Sequence, residues 1–310
     1  MNRRRLLAAL ASAATAAPAA LRAQQKAMPV IGYLNGSSPA ANAQLLAAFH
    51  QGLRETAWVE GENVAIEYRW AEFHYNRLPA LAADLVSRKV NVIAACGGAD
   101  EAFAAKNATS TIPVVFMTGA DPVATGLVAS LARPGGNLTG VTNLNTQLWQ
   151  KRVELIAELV PQARAIGLLE NPNNAYMEGA VASTRQAARA KGLQLEILTA
   201  GTEAEIDAAF ASAVQRHIGA VIVGDPLFDS RSREVVTLAA GHGVPTIYNW
   251  RKYVADGGLI SYGAISPTTF RLAGVYAGKI LRVLSLPICP FSNRRPSSWS
   301  SISNPPRRLA

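Results

Sequence analysis

The chain has little of what most enzymes depend on. Of its 310 residues, two are cysteine and four are histidine. Cys96 and Cys289 make no disulfide framework, although export would allow them to pair. Cys96 ends an apolar run and reads as a buried thiol. His50, His74, His217 and His242 stand apart, and no two share metal-ligand spacing, so no metal site is expected. There is no G-x-S-x-G elbow, no P-loop and no dinucleotide fingerprint. "RPGGN" from Arg133 lacks the Lys and Ser/Thr of a phosphate loop and reads as a tight turn. These absences argue against an enzyme and against any cofactor.

Acidic residues are missing from both ends. The net charge is +9, yet Arg3, Arg4, Arg5 and Arg22 lie in the first 23 residues, and Arg294, Arg295, Arg307 and Arg308 in the tail, with no acid in either segment. Without these eight arginines the body carries only +1. That leaves no basic face for a phosphate backbone, and no nucleic-acid partner is expected. Residues 1–23 read as a cleavable export signal. "NRRRLLA" is basic, Leu6 to Ala20 is apolar and Ala-rich, and "LRA" precedes a plausible cleavage point. The paired arginines loosely resemble a twin-arginine signal. The apolar run is shorter than the ~20 residues of a spanning helix, so export to the periplasm is expected rather than anchoring.

What the body does contain is alternation. Strand-like runs include "VIGYL" from Val30, "VNVIAAC" from Val90, "IPVVFM" from Ile112, "AIGLL" from Ala165, "AVIVG" from Ala220 and "VPTIYN" from Val244. Between them lie helical stripes. In "AQLLAAFHQGLRE", Leu45, Leu46, Phe49 and Leu53 share one face. Apolar strands alternating with helices predict an α/β fold of parallel sheets flanked by helices. "GNLTGVTNLN" (136–145) lacks helical periodicity and suits a crossover between halves, as does "ADGGLISYG" (255–263).

Five strand ends run into a capping residue and a proline: Ser38-Pro39, Asp121-Pro122, Asn171-Pro172, Asp225-Pro226 and Ser266-Pro267. This pair predicts a helix start. Ligands of open α/β sheets bind at the carboxyl ends of strands, and helix N-termini suit a carboxylate. The pattern in both halves points to a shared cleft, although each pair taken singly is also an ordinary cap.

Residues 28 to 282 resemble the substrate-binding proteins of ABC transporters, in the group related to tryptophan and tyrosine binders. The resemblance rests on "FHQGLRETAWVEGENVAIEYRWAE", "RLPALAADLVSRKVNVIAA", "KRVELIAELVP" and above all "DPVATGLVASLARPGGNLTG". It implies a type I periplasmic-binding-protein-like fold of two hinged Rossmann-like lobes, 28–143 plus 260–282 and 144–259. It also implies a non-catalytic monomer that captures a small ligand, such as an amino acid or related carboxylate, and delivers it to an inner-membrane ABC permease. A periplasmic ligand-sensing module for a membrane signalling partner is the alternative.

The expected ligand contacts are strand-end polar groups: Asn35, Ser37, Ser38, Gly97, Gly98, Thr118 and Asp121 in the first lobe, and Asn171, Asp225 and Asn249 in the second. Tyr33, Trp250 and Tyr262 are candidates for stacking, with core packing the competing role for each. Ser37 and Ser38 are expected to hold a ligand carboxylate. Asp225 could take an ammonium, in competition with its role as a cap. The sequence departs from the family at Phe73, where glycine is usual, and at Asn91, where aspartate is common.

The family's chain continues after "GKILRG" with a last strand and helix. Here residues 283–310 are instead rich in Ser, Pro and Arg. Read from the third base of each codon, starting at Arg282 and with permitted codons, they spell "GAKPADLPVQQPTTKFVVINLKPAKALGL". The tail is therefore expected to be a disordered product of a frameshift at the Arg282 codon. A genuine disordered tail is the rival reading.

Overall fold

The computed structural model describes residues 28–142, 146–174, 177–263 and 267–285. The expected export signal lies outside these residues, as do Cys289 and the tail from residue 286.

Two five-stranded sheets, each wholly parallel, carry the molecule. The first contains β1 (Val30–Asn35), β2 (Ala65–Trp70), β3 (Val92–Cys96), β4 (Val114–Thr118) and β5 (Leu138–Thr142), in the order β2-β1-β3-β4-β5. The second contains β6 (Ala165–Glu170), β7 (Gln194–Thr199), β8 (Ala220–Val223), β9 (Thr246–Tyr248) and β10 (Ile260–Ser261), in the order β10-β9-β8-β6-β7. Every residue of β3, β4, β8 and β9 is buried. That is why these strands read as largely apolar runs: helices cover both faces of a parallel sheet. The two-lobed α/β architecture agrees with the expectation.

Helices follow the strands: α1 (Pro39–Glu55), α2 (Leu78–Ser87), α3 (Ala99–Ala108), α4 (Thr146–Leu159), α5 (Met177–Ala190), α6 (Glu203–Gln215), α7 (Pro226–Asp229), α8 (Ser232–Gly241), α9 (Arg251–Ala255) and α10 (Pro267–Ser285). Phe49 and Leu53 of α1 join Ile31 and Tyr33 of β1 and Phe270, Ala273 and Ala277 of α10 in one buried cluster. Burial of each large apolar side chain contributes about 1.5–3 kcal/mol. The last helix thus returns to the first sheet.

Two boundaries differ from expectation. Ile260 and Ser261 pair with Ile247 and Tyr248 of β9, so they extend the second sheet and do not open the return. The return begins at Pro267. Residues 283–285, expected in the disordered tail, are the last turn of α10, because nothing before Pro287 interrupts helical hydrogen bonding. Val283 and Leu284 are exposed there.

Of the five cap-and-proline pairs, Ser38-Pro39 and Asp225-Pro226 open helices. The Ala41 N–H donates to Ser38 Oγ at 3.3 Å, and the Leu227 N–H to Asp225 Oδ1 at 2.8 Å. Pro267 also starts a helix, but Ser266 lies outside the described residues. Asp121 and Asn171 cap turns instead. Asp121 Oδ1 accepts from Val123 and Ala124 N–H, and Asn171 Oδ1 from Asn173 N–H. Asx side chains stabilise turns by the same bond that caps helices, so the dipeptide alone does not separate the two.

Candidate functional site: a cleft between the carboxyl ends of two sheets

In each sheet the order of strands reverses beside its first strand, at β1/β3 and at β6/β8. Loops at such a reversal diverge and leave a crevice at the carboxyl ends of the strands. The two crevices face one cavity. Asn35, Ser37, Gly97 and Gly98 line it from the first lobe, and Asn174, Gly224, Asn249 and Trp250 from the second. Its volume is about 130 Å³, close to that of a cavity that admits a benzene-sized ring. Leu45, Met117, Trp149 and Phe270 supply apolar wall.

The lobes touch around this cavity. Phe73, in the loop after β2, packs against the core of the second lobe. Its φ of +63° is left-handed, a conformation that costs a bulky residue free energy and glycine none. The departure from the usual glycine therefore falls where the backbone favours glycine. Asn91, the other departure, fastens the start of β1: its Oδ1 accepts from the Val30 N–H at 2.7 Å.

The expected contacts divide. Asn35, Ser37, Gly97, Gly98 and Asn249 line the cavity. The Asn35 amide is already used, donating to the Cys96 carbonyl and accepting from the Ser37 N–H, so it ties β1 to β3 beneath the cavity. Ser38, Thr118, Asp121, Asn171, Asp225 and Tyr262 are not in the lining. Ser38 caps α1, and Thr118 is buried and accepts from the Ala120 N–H. Asp225 accepts from Leu227 N–H, from Asn174 Nδ2 at 2.6 Å and from Asn171 Nδ2 at 3.4 Å. These three bonds leave it a brace for the loops after β6 and β8. Tyr262 is 39% exposed, and its carbonyl accepts from Arg152 Nε. Tyr33 lies in the core against Phe49 and Trp70, 5.2 and 5.4 Å between ring centres.

Several lining residues had no sequence signal. Tyr75, Asp100, Glu101, Trp149, Arg152 and Asp229 all face the cavity. Arg152 is buried, with its guanidinium 4.4 Å from the centre of the Trp149 ring, a favourable cation–π arrangement. Three buried polar atoms here have no partner among the described residues: Tyr75 Oη, Trp149 Nε1 and Asn249 Oδ1. Asn249 is oriented by its other end, Nδ2, which donates to Asp229 Oδ2 at 3.1 Å. Buried polar groups are nearly always paired, so three orphans around one cavity mark it as built to receive polar atoms.

The acids of the cleft are held away from their ordinary behaviour. Burial pushes Glu101 up to about 7, against the Gly36 N–H that its carboxylate accepts. Burial likewise raises Asp229 to about 7 and Asp225 to about 6. Asp100 is also raised, by desolvation alone. Desolvation disfavours the charged form, and the first three are partly offset by hydrogen bonds that favour it.

The remaining titratable groups do other work. Cys96 is buried in β3, with its thiol pushed upward by burial. His50 lies 3.1 Å from the Tyr68 hydroxyl, and His242 lies 2.9 Å from Asp207. Among the described residues no helix is long and apolar enough to cross a membrane.

Comparison with known proteins agrees with this geometry. The tyrosine-binding protein of Clostridioides difficile is 28% identical over 215 residues, which is 69% of this chain and 61% of that protein. The chain thus spans less than two thirds of that relative's length. A conserved domain protein from Vibrio cholerae superposes with a TM-score of 0.71 at 25% identity, over 83% of this chain and 84% of that one. The ABC domain from Streptococcus pneumonia, in complex with L-Trp, superposes at 0.67 with 26% identity, again over 83% and 84%. The model of the family described as ABC transporter substrate binding protein matches residues 30–294, and the chain belongs to that family.

Proposed function

We propose that this chain is an exported, monomeric binding protein that encloses one amino acid between its lobes and hands it to an ABC permease of the inner membrane. The observation that carries this reading is the cavity at the switch points of both sheets, with the orphaned Tyr75 Oη, Trp149 Nε1 and Asn249 Oδ1 around it. A ligand that supplies their missing partners is bound more tightly by the closed form than by the open one. That differential affinity is what drives closure. The permease then has a ligand-dependent shape to recognise.

An aromatic amino acid suits the walls. Trp149, Trp250 and Phe270 offer ring faces, and Leu45 and Met117 offer aliphatic surface. The buried Arg152 lends the positive field that a carboxylate needs. The names of the relatives, a tyrosine binder and an L-Trp complex, support the same class. The Ser37 hydroxyl lines the first-lobe wall and is a second donor for a carboxylate.

A thermal-shift panel of the twenty amino acids against the mature chain tests this. A ligand present at 100 times its Kd adds about 2.7 kcal/mol of stability, a shift of several degrees. Tyrosine, tryptophan or phenylalanine should produce it. Stabilisation by sugars or inorganic anions alone would contradict the reading.

A further inference from the structure

Four carboxylates stand in or beside the cleft, and three are already engaged. Glu101 accepts from the Gly36 N–H at 2.7 Å. Asp225 is held by Leu227, Asn174 and Asn171. Asp229 accepts from Asn249 Nδ2 at 3.1 Å and from the Tyr253 hydroxyl at 3.0 Å. The fourth, Asp100 in the first turn of α3, lines the cavity and accepts no hydrogen bond from any described residue. Its charge acts on the Tyr75 hydroxyl, on Glu101 and, across the cleft, on Asp225.

An acidic residue without a partner does not by itself make a site. The opposite wall supplies the second observation. Asn249 is 6% exposed and lines the same cavity, and its Oδ1 has no donor among the described residues. Its Nδ2 is committed to Asp229, which fixes Oδ1 as an acceptor without a donor. The cavity therefore presents an unengaged carboxylate from one lobe and an orphaned acceptor from the other. Such a pair asks for N–H groups on the ligand, and the carboxylate asks for them to be charged.

We propose that Asp100 is the residue that receives the protonated amine of the ligand, so that the cleft selects for a solute bearing an ammonium group and discriminates against the same molecule without it. Asp225, the acid suggested by its strand-end position, is not that receptor, because its lone pairs are spent on loop bracing. The inference rests on the amino-acid reading above and assigns the residue that recognises one end of the ligand. It also gives the cation a role in closure. With the lobes together, the charge of Asp100 bears on Asp225, and a bound ammonium offsets that repulsion.

Calorimetry on the mature chain separates the possibilities. The probes are L-tryptophan, tryptamine and indole-3-propionate, with the corresponding L-tyrosine, tyramine and 3-(4-hydroxyphenyl)propionate. The two compounds with an amine in at least one series should bind, and the propionate should bind at least tenfold more weakly than its amino acid. Asp100→Asn should weaken the amine-bearing probes tenfold or more and leave any propionate binding unchanged. Asp100→Glu, which keeps the charge, should restore part of the loss. Unchanged melting temperature in both variants would assign the effect to the ligand and not to folding. An amino acid that binds equally to wild type and Asp100→Asn, or a propionate that binds as tightly as its amino acid, would overturn the inference and leave the binding-protein reading intact. Failure of all six probes on the wild type would overturn the aromatic amino-acid reading and this inference with it.

Discussion

Alanine at Gly274 sets two effects of known sign against each other. In a helix interior, alanine is favoured over glycine by about 1 kcal/mol. Gly274 lies in α10, where that helix crosses α1. A Cβ there would run into the Phe49 carbonyl oxygen and stand 3.1 Å from the Leu53 nitrogen. Both are backbone atoms, so no side chain can swing away; the helices must separate. Gly52, across the same crossing, would place its Cβ into the Arg271 carbonyl and 2.8 Å from the Val275 nitrogen. Overpacking of this kind costs about 1–3 kcal/mol. After subtracting the propensity gain, Gly274→Ala should destabilise by up to about 2 kcal/mol. At about 2–4 °C per kcal/mol for a chain of this size, Tm falls by up to about 8 °C. Gly179 in α5 is the control, because a Cβ there meets nothing within 4 Å. Gly179→Ala should raise Tm by up to about 4 °C. Calorimetric melts of both variants decide the matter. A rise for Gly274→Ala equal to that for Gly179→Ala would refute the close crossing that fastens the returning helix to the first lobe.

Further outcomes follow from the same structure. Glu101 and Asp229 at about 7 and Asp225 at about 6 hold protons that the unfolded chain releases near pH 4, so stability should decline as pH rises from 5 to 8. Glu101→Gln, which keeps an acceptor for the Gly36 N–H, should flatten that decline in melts across this range; an unchanged slope would contradict it. Trp149→Phe removes a donor that has no partner among the described residues. Trp149 is also a core side chain stacked under Arg152, so the ligand-free Tm should fall by a few degrees, while amino-acid binding to the folded variant weakens about 3- to 10-fold, the worth of one hydrogen bond. A lower Tm with unchanged affinity would make Trp149 a packing residue only. Phe73→Gly relieves a left-handed φ and deletes a contact between the lobes. Solution scattering of the ligand-free chain should then show a larger radius of gyration, and an unchanged radius would remove Phe73 from the closure equilibrium.

The parts of the fold that could be read from sequence are those governed by burial on both faces. "VIAAC" and "VVFM" are apolar throughout because they belong to central parallel strands. The site was legible only where it is made of strand ends: Asn35, Ser37, Gly97, Gly98 and Asn249. Trp149 and Arg152 sit on an amphipathic helix, where a buried tryptophan looks like core and an arginine like surface. Tyr75 belongs to a three-residue 3₁₀ turn with no periodic pattern. Asp100 comes two residues after Gly98, in the first turn of α3, and reads as an ordinary helix-start acid. Tyr262 follows a two-residue edge strand, and its carbonyl, not its ring, makes the recorded contact with Arg152.

The central claim is that a ligand is enclosed between the two switch points. A crystal structure of the mature chain grown with the amino acid that most raises its Tm tests it directly. One ligand should lie in the cavity, its amine within hydrogen-bonding distance of Asp100 and Asn249 Oδ1, and its body against Trp149. A ligand bound elsewhere, or a cavity still empty at saturating concentration, would contradict it.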